Sequence, residues 1–271
     1  MEDRSSRRPL DPAHLRARLV GAGRFVPALD VVSETTSTNA DLLVAAARGA
    51  PEGTVLVAEY QRAGRGRLGR EWVSPPGAGL TFSLVLRPDV PRPRWSWLPL
   101  LAGLALRAAV ADLAGDDVGS RLKWPNDLLL GARSAKAAGI LVQTGDAAVV
   151  GVGVNVDHAA AELPGPAATS LRLAGAEVER SDLLVTTLEA LAERYLAFIG
   201  AGGDAERCGA RAEYRAVCAT LGTEVEVQGA GGGWPGRVVD IGPDGSLIVE
   251  RDGRTTAVSA GDVIHLRARP R

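Results

Sequence analysis

The chain has 271 residues, of which 46% are hydrophobic and 23% charged, and these are ordinary values for a soluble globular protein. Its 31 basic and 32 acidic residues give a formal net charge of −1. A charge so close to zero argues against a general nucleic-acid binder, so any anion-binding site must be local.

The sequence also favours a cytoplasmic protein. Its start, MEDRSSRRPLDP, lacks the apolar segment of a signal peptide, and the most apolar run, Leu98–Val110, is too short to span a membrane. Cys208 and Cys218 lack C-x-x-C spacing, and the three histidines are scattered. We therefore expect neither a disulfide framework nor a zinc site.

The N-terminal half predicts alternating helices and strands. Apolar periodicity, capping residues and β-branched runs place them in this order: a short helix after Asp11-Pro12, a strand in ALDVVSE, a helix starting at Ser37, Thr38 or Asn39 and stopping at Gly49, strands in TVLVAEY and GLTFSLVLRP, and a long apolar helix from Trp95 to Ala114.

The second half continues with strands and then changes character. Strands are predicted in SRLKWP, DLLL, AAGILVQTG and AAVVGVGVNVD, followed by helices over Asp182–Ile199 and Ala205–Ala219. From Leu221 onward, four short strands alternate with Gly and Asp-Gly turns, with a glycine-rich linker at Gly229–Gly233. The sequence thus predicts an α+β fold with a mixed sheet in three parts: an N-terminal arm and short helix (1–25), a large domain (26–220) and a small β-barrel (221–271).

The segment GRGRLGREW (Gly64–Trp72), here called the arginine loop, contains a G-x-G-x-x-G spacing. In a dinucleotide-binding turn the glycines open a helix, whose first amides meet the pyrophosphate. Pro75 and Pro76 follow too closely for such a helix, so we reject that interpretation. Arginines between glycines can instead order around an anion. A solvated surface loop explains the same residues equally well.

Three further segments each allow a functional and a structural interpretation. In KWPND, Asp127 is a candidate Mg²⁺ ligand or a turn cap. In KAAGIL, Lys136 is a candidate anion ligand or an exposed edge residue. In GVGVNVD, one strand face lacks side chains, which suits either a flat ligand or close helix packing. Only Lys123 and Lys136 are lysines in this arginine-rich chain, which hints that a compact ammonium is needed where lysine remains.

Taken together, these segments resemble the biotin protein ligases, that is, the biotin–[acetyl-CoA-carboxylase] ligases. The resemblance runs from about Val31 to the C-terminus and rests on five motifs in order: STN, AEYQRAGRGRLGREW, KWPNDLLL, KAAGILVQ and GVGVNV. It implies a class II aminoacyl-tRNA synthetase-like catalytic domain with an SH3-like barrel. It also implies a two-step reaction in which biotin and MgATP form biotinyl-5′-AMP, and biotin then passes to a lysine of a biotin carboxyl carrier protein.

The resemblance also implies roles for individual residues. Lys136, Arg65, Arg67 and Asp127 are the expected catalytic group, with Asp127 also a candidate for Mg²⁺. The expected biotin site adds Ser37, Thr38, Asn39, Gln61, Gly64, Gly66, Gly139, Gly151 and Gly153. The expected nucleotide site adds Arg70, Trp72, Asn126 and Asn155, with Trp72 closing over the nucleotide. No tightly bound prosthetic group is expected. We expect the arginine loop to order when biotin or the adenylate binds.

The sequence departs from the family pattern at two positions and leaves two rival functions open. Members often have a larger aliphatic residue at Ala137 and a glutamate at Gln143. Some relatives also carry an N-terminal winged helix-turn-helix, for which too few residues precede the first matched strand. We therefore expect a ligase that binds neither DNA nor membrane. The rivals are a lipoate or octanoyl transferase and a nucleic-acid-binding module.

Overall fold

A computed structural model describes residues 7–229, 232–260 and 265–268. Its first helix, α1 (Pro12–Leu19), begins where the sequence predicts, because the Asp11 carboxylate accepts from the amides of Ala13 and His14. Of the three candidate caps for α2 (Thr38–Ala47), Ser37 occupies the N-cap position, so Thr38 and Asn39 lie in its first turn.

Seven strands form one mixed sheet in the order β1-β2-β3-β7-β6-β5-β4. β1 and β2 run parallel, whereas the other neighbours are antiparallel. The strand bounds are β1 Leu29–Val32, β2 Val55–Ala58, β3 Gly79–Leu86, β4 Arg121–Lys123, β5 Asp127–Leu130, β6 Ala135–Thr144 and β7 Ala148–Asn155. β3 and β7 are buried along their whole length, so they form the centre of the sheet.

Helices cover both faces of this sheet. Leu84 and Val150 belong to the main core, whereas the adjacent Val85 and Val149 belong to a second cluster under α2. Since successive strand residues point to opposite faces, α2 covers one face and the main core lies on the other. There α3 (Leu98–Ala114) packs against α4 (Arg180–Gly200) and the strands.

Two predicted helices are shorter than expected. The segment Arg92–Trp97 is a 3₁₀-helix, and α3 begins only at Leu98, where Pro99 can occupy the first turn. The helix predicted over Ala205–Ala219 is confined to α5 (Ala210–Val217), because Gly209 adopts a left-handed conformation directly before it. The segment Arg92–Ala114 is apolar and long enough to span a membrane, but its most apolar stretch of 18 residues is 61% buried inside the fold, as in a core helix.

The C-terminal part forms a separate antiparallel sheet, here called the C-terminal sheet, in the order β11-β10-β9-β8-β12. Its strands are β8 Glu224–Gly229, β9 Gly232–Ile241, β10 Leu247–Arg251, β11 Arg254–Val258 and β12 His265–Ala268. Five strands are thus present where four were predicted. The predicted Gly229–Gly233 linker is mostly strand, because Gly229 pairs with Gly232, while residues 230–231 lie outside the described residues.

Indole N–H groups attach the C-terminal sheet to the rest of the protein. Trp97 Nε1 donates to the carbonyl of Pro243 at 2.8 Å, and Trp124 Nε1 donates to the carbonyl of Gly245 at 2.9 Å. Both acceptors lie in the turn between β9 and β10. Since Trp124 belongs to KWPND, this turn is linked directly to the segment that carries Asn126 and Asp127.

Candidate active site

A cavity of about 630 Å³ lies between the arginine loop, the first turn of α2 and strands β6 and β7. Every residue predicted for the site lines this cavity except Gly64 and Asp127. The predicted residues that line it are Ser37, Thr38, Asn39, Gln61, Arg65, Gly66, Arg67, Arg70, Trp72, Asn126, Lys136, Gly139, Gly151, Gly153 and Asn155. Segments about one hundred residues apart in the chain therefore meet at one site.

The buried end of the cavity is polar because α2 begins there. The amide of Thr38 donates to Gln61 Oε1 at 2.8 Å, and the Thr38 hydroxyl lies 3.1 Å from the same oxygen. Ser37, Thr38 and Asn39 are all buried. The start of this helix, with the side-chain amides and hydroxyls around it, gives this end both donors and acceptors for a small polar group.

Asn39 is the most constrained of these polar residues. Its Nδ2 donates to Gln143 Oε1 at 2.9 Å, and its Oδ1 lies 2.6 Å from the Ser83 hydroxyl. A Cβ on Gly151 would overlap Asn39 Oδ1. Gly151 therefore provides the room in which the Asn39 side chain sits against the sheet.

The arginine loop is a short hairpin rather than the start of an α-helix. Gly66 N–H donates to the carbonyl of Arg70 at 2.7 Å, and Trp72 N–H donates to the carbonyl of Gly64 at 2.8 Å. Leu68, at the tip, has a positive φ of 58°. The rejection of a dinucleotide-binding turn is confirmed, since the 3₁₀ turn Arg67–Gly69 lies inside the motif and the chain from Arg70 to Ala78 forms no helix.

The three arginines of the loop occupy different environments. Arg65 and Arg70 are exposed at the cavity mouth, whereas Arg67 is half-buried. Arg67 donates to the carbonyl of Ala260 at 2.7 Å and lies 3.5 Å from Asn126 Oδ1. Burial lowers the pKa of Arg67, although nearby Asp127 opposes the change. Arg67 thus connects the loop to both KWPND and the C-terminal sheet.

Lys136 enters the cavity from β6, and Asp127 holds it from behind. Lys136 Nζ lies 2.7 Å from Asp127 Oδ1 and 5.8 Å from the centroid of the Trp72 ring. Within the described part of the chain, Asp127 Oδ1 has no partner besides this ammonium. Asp127 is therefore one contact removed from the cavity, and it acts on the site through Lys136.

Trp72 lies flat against the glycine floor. A Cβ on Gly153 would be 2.5 Å from Trp72 Nε1, and a Cβ on Gly139 would be 3.3 Å from both Trp72 and Lys136 Nζ. The missing side chains thus make room for the indole and the ammonium. Trp72 Nε1 is buried and has no hydrogen-bond partner among the residues that the structure describes.

Two predicted nucleotide-site amides bind the protein's own backbone. Asn126 Nδ2 donates to the carbonyl of Ile140, and Asn155 Nδ2 donates to that of Thr169, at 2.9 and 3.0 Å. The backbone of Lys136 in turn pairs with Ala167 and Thr169. Asn126 and Asn155 therefore fix the cavity wall, and the Asn126 amide oxygen also lies within reach of the Arg67 guanidinium.

Sequence reasoning missed Ser83, Glu162 and the role of Gln143. A signal existed for Ser83, because Thr81 and Ser83 put two hydroxyls on one face of the otherwise apolar strand GLTFSLVL. Glu162 lines the cavity from the short 3₁₀ turn Ala160–Glu162, where the sequence carries no periodic pattern. Gln143 stood out only as a departure from the family, yet its Oε1 receives the Asn39 amide.

The described residues contain no group of three or more His, Cys, Asp or Glu side chains that could hold a metal ion. Asp127 is a carboxylate beside the cavity, and its Oδ1 is already paired with Lys136. This donor set fits a Mg²⁺ that is bound mainly by nucleotide phosphates, to which a protein adds one or two carboxylates.

Comparison with known proteins defines the class. The model of the biotin/lipoate A/B protein ligase family matches residues 30–157, which run from β1 to just beyond β7. The biotin–[acetyl-CoA-carboxylase] ligase of Mycobacterium tuberculosis is 44% identical over 98% of this chain and 100% of its own length. The bifunctional ligase/repressor BirA of Bacillus subtilis is 30% identical over 86% of this chain and 72% of its own length.

A solved structure agrees with these relatives. The biotin protein ligase from Aquifex aeolicus in complex with biotin and ATP matches with a TM-score of 0.76 and 28% identity, covering 90% of this chain and 100% of that one. This chain belongs to the biotin protein ligase family.

Proposed function

We propose that this protein activates biotin with MgATP and transfers it to a lysine of a biotin carboxyl carrier protein or domain. In the first step a carboxylate oxygen of biotin attacks the α-phosphorus, the bond to pyrophosphate breaks, and biotinyl-5′-AMP forms. In the second step the lysine amine attacks the acyl carbon, AMP leaves, and an amide remains. The observation that carries this proposal is the meeting of Arg65, Arg67 and Lys136 at one cavity.

The first step brings two anions together, so cations must offset their repulsion and the charge that builds on the phosphoryl oxygens. Arg65 and Arg67 present guanidinium forks along the carboxylate and the α-phosphate. Lys136 supplies a compact ammonium between them, and Asp127 fixes its direction from behind at 2.7 Å. Asp127 would add a carboxylate ligand to the Mg²⁺ bound by the phosphates of ATP, and that metal would offset phosphate charge.

The polar end of the cavity suits the ureido head of biotin. The α2 N-terminus, Gln61 and Asn39 offer donors and acceptors in a buried pocket, and burial makes each such hydrogen bond selective. Gly139 and Gly153 leave room on the sheet for Trp72, and Gly151 leaves room for Asn39. The apolar part of the ligand would lie along the narrow surface beside these side chains.

The mixed anhydride must be kept from water between the two steps. The arginine loop with Trp72 covers the cavity and closes over the nucleotide, while Arg70, Asn126 and Asn155 line the nucleotide side. Order of the loop then depends on the ligand, because three cations in one short segment repel each other until an anion is bound.

Finer assignments follow from the same resemblance. Residues 26–220 form a class II aminoacyl-tRNA synthetase-like catalytic domain behind an N-terminal arm (1–25), and residues 221–271 form an SH3-like barrel. The protein acts in the cytoplasm. The mixed sheet and the separate C-terminal sheet support these assignments at the level of architecture.

Acyl specificity provides the test. Purified protein is incubated with MgATP, a carrier domain and labelled biotin, lipoate or octanoate in parallel, and the label on the carrier is counted. We expect biotin alone to be transferred. Transfer of lipoate or octanoate in preference to biotin would assign the cavity to the rival acyl group and overturn the proposal.

A further inference from the structure

The arginine loop is anchored at its C-terminal end by a contact outside the catalytic group. Ser74 follows Trp72 by two residues, and its Oγ lies 3.0 Å from Nε2 of His158. His158 is almost completely buried, with a relative exposure of 1%. The Ser74–His158 pair, here called the latch, therefore joins the end of the loop to the segment that follows β7.

The backbone of β3 leaves room for the latch. A Cβ on Gly79 would be 2.6 Å from Ser74 Oγ and 3.2 Å from Cε1 of His158. Real side-chain carbons do not approach other atoms so closely. Any residue other than glycine at this position would therefore push the two partners apart.

Charged residues hold the histidine side of the latch in place. Arg7 donates to Glu162 Oε2 at 2.6 Å and to the backbone carbonyl of Asp157 at 2.9 Å. His158 lies between these two acids in the chain. Glu162 also accepts from the amide of Ala159 at 3.0 Å, which closes the turn around His158. The segment that carries the histidine is thus fixed from the N-terminal arm.

The other end of the loop has its own anchor. The amides of Arg62 and Ala63 donate to the carbonyls of Thr35 and Thr36 at 2.9 and 3.0 Å. These acceptors directly precede the N-cap of α2. The arginine loop is therefore held by backbone hydrogen bonds just before its start, by the Arg67 contacts near its middle and by one side-chain pair just beyond its end.

The same pair is poorly suited to nucleophilic catalysis. An activated serine needs a basic histidine that a third group orients. Within residues 7–229, 232–260 and 265–268, no group hydrogen-bonds to Nδ1 of His158. Burial is the main cause that lowers the pKa of His158 to about 4. A weak base without an orienting partner favours an anchoring role.

We propose that the latch is a retention device: Ser74 and His158 are positioning residues that hold the end of the arginine loop closed and slow the escape of biotinyl-5′-AMP. The inference rests on the proposed function, because it assigns the loop the task of keeping the adenylate in the cavity. Release of the latch frees Trp72 and the C-terminal end of the loop to open, while Lys136 on β6 and Arg65, next to the backbone anchor at the start of the loop, keep their positions.

Retention of the adenylate tests the proposal. Each enzyme is loaded with labelled biotin and MgATP without carrier, separated by rapid gel filtration, and chased with excess unlabelled biotin. We expect Ser74→Ala to lose bound label about fivefold faster than the unsubstituted protein, the factor that corresponds to about 1 kcal/mol for one hydrogen bond. The initial rate of adenylate formation should change little, because Ser74 lies outside the catalytic group. The Tm should fall, as in the control below, because the buried Nε2 of His158 loses its partner.

Ser170→Ala is the matched control. The Ser170 hydroxyl is buried and donates to the backbone carbonyl of His158 at 2.8 Å, so its removal weakens the same segment without touching the ring. We expect a lower Tm with unchanged retention. His158→Leu should reproduce the Ser74→Ala loss, and His158→Gln should recover part of it, since an amide can still reach the Ser74 hydroxyl.

The outcomes separate the two proposals. If the unsubstituted protein forms no labelled adenylate, the proposed function fails. If it does and Ser74→Ala retains the adenylate equally long, the latch alone is refuted. The latch is also refuted if Ser74→Ala and Ser170→Ala accelerate release to the same extent, because general loosening would then explain the effect.

Discussion

Lys136 and Asp127 form an ion pair across neighbouring strands, with Nζ and Oδ1 2.7 Å apart. In the sheet Asp127 pairs with Gly139 and Lys136 with Leu129, and the register between β5 and β6 shifts at Leu128/Leu129, so the two side chains meet across a β-bulge. KWPND and KAAGIL therefore act as one unit, in which a carboxylate directs the ammonium that enters the cavity.

We predict that Asp127→Asn slows adenylate formation about tenfold while the fold is retained. Asparagine keeps the shape of the side chain but removes the charge that directs Lys136, and misdirected charge stabilises a transition state poorly. The measurement is the single-turnover rate of biotinyl-5′-AMP formation. Asp30→Asn is the control, because its ion pair with Arg16 is exposed and contributes little. Equal rates for both variants would contradict the role of Asp127.

We predict that Gly151→Ala weakens biotin binding by about tenfold or more, because the new methyl group must displace the Asn39 carboxamide. Isothermal titration with biotin measures the effect. Gly145→Ala lies in the adjoining β6–β7 turn, where nothing occupies the space around a new Cβ, and it should bind biotin normally. Unchanged affinity in Gly151→Ala would remove Asn39 from the biotin site.

We predict that Trp124→Phe both destabilises the protein and raises KM for ATP. The change leaves the buried carbonyl of Gly245 without its donor, which costs about 1–3 kcal/mol, and it loosens the segment next to Asn126 and Asp127. Urea unfolding and steady-state kinetics measure the two effects. Trp95→Phe loses a comparable indole bond, to the carbonyl of Val90, far from KWPND. It should change stability without changing KM.

We predict an acid-sensitive contribution to stability from His158. Its pKa is lowered, mainly by burial, from 6.5 to about 4, whereas the unfolded chain restores the ordinary value. The unfolded state therefore binds more protons between these pH values. The contribution is complete above about pH 6.5 and is lost as the pH falls towards 4.

Urea unfolding at pH 7 and pH 4.5 checks this sign. The unsubstituted protein should lose about 2 kcal/mol more than His158→Gln over this interval. Arg7, Asp157 and Glu162 face the ring, and the Glu162 pKa, lowered to about 2 chiefly by the hydrogen bond from Arg7, keeps that carboxylate charged throughout. An identical pH dependence in both proteins would show that His158 is not buried in its neutral form.

Local signals in the sequence predicted most of the elements. The Asp11 cap, the β-branched run in β2 and the apolar period of α3 each act within a few residues, so the sequence alone places them. The segment before α5 was misjudged because the left-handed Gly209 ends one turn and begins another, which composition does not reveal. The fifth strand of the C-terminal sheet was missed because β12 depends on pairing with β8, far along the chain.

The sequence motifs were sufficient to predict which residues line the site, but not all of the contacts between them. Arg65 and Lys136 line one cavity as expected, yet Asp127 lies behind Lys136, and Asn155 is engaged with the carbonyl of Thr169. The ion pair of Asp127 and the hydrogen bond of Asn155 depend on how the chain segments align in space. The contact between Ser74 and His158 could not be predicted for the same reason, since neither residue belongs to a motif and only the fold brings them together.

Biotin-dependent exchange of pyrophosphate into ATP, measured without any carrier protein, tests the central claim most directly. The unsubstituted protein should catalyse an exchange that requires biotin. Lys136→Ala should reduce it by about a hundredfold or more in a protein that remains folded, because removing one charge-stabilising group from a preorganised site has an effect of that size. Near-normal exchange by folded Lys136→Ala would contradict the account.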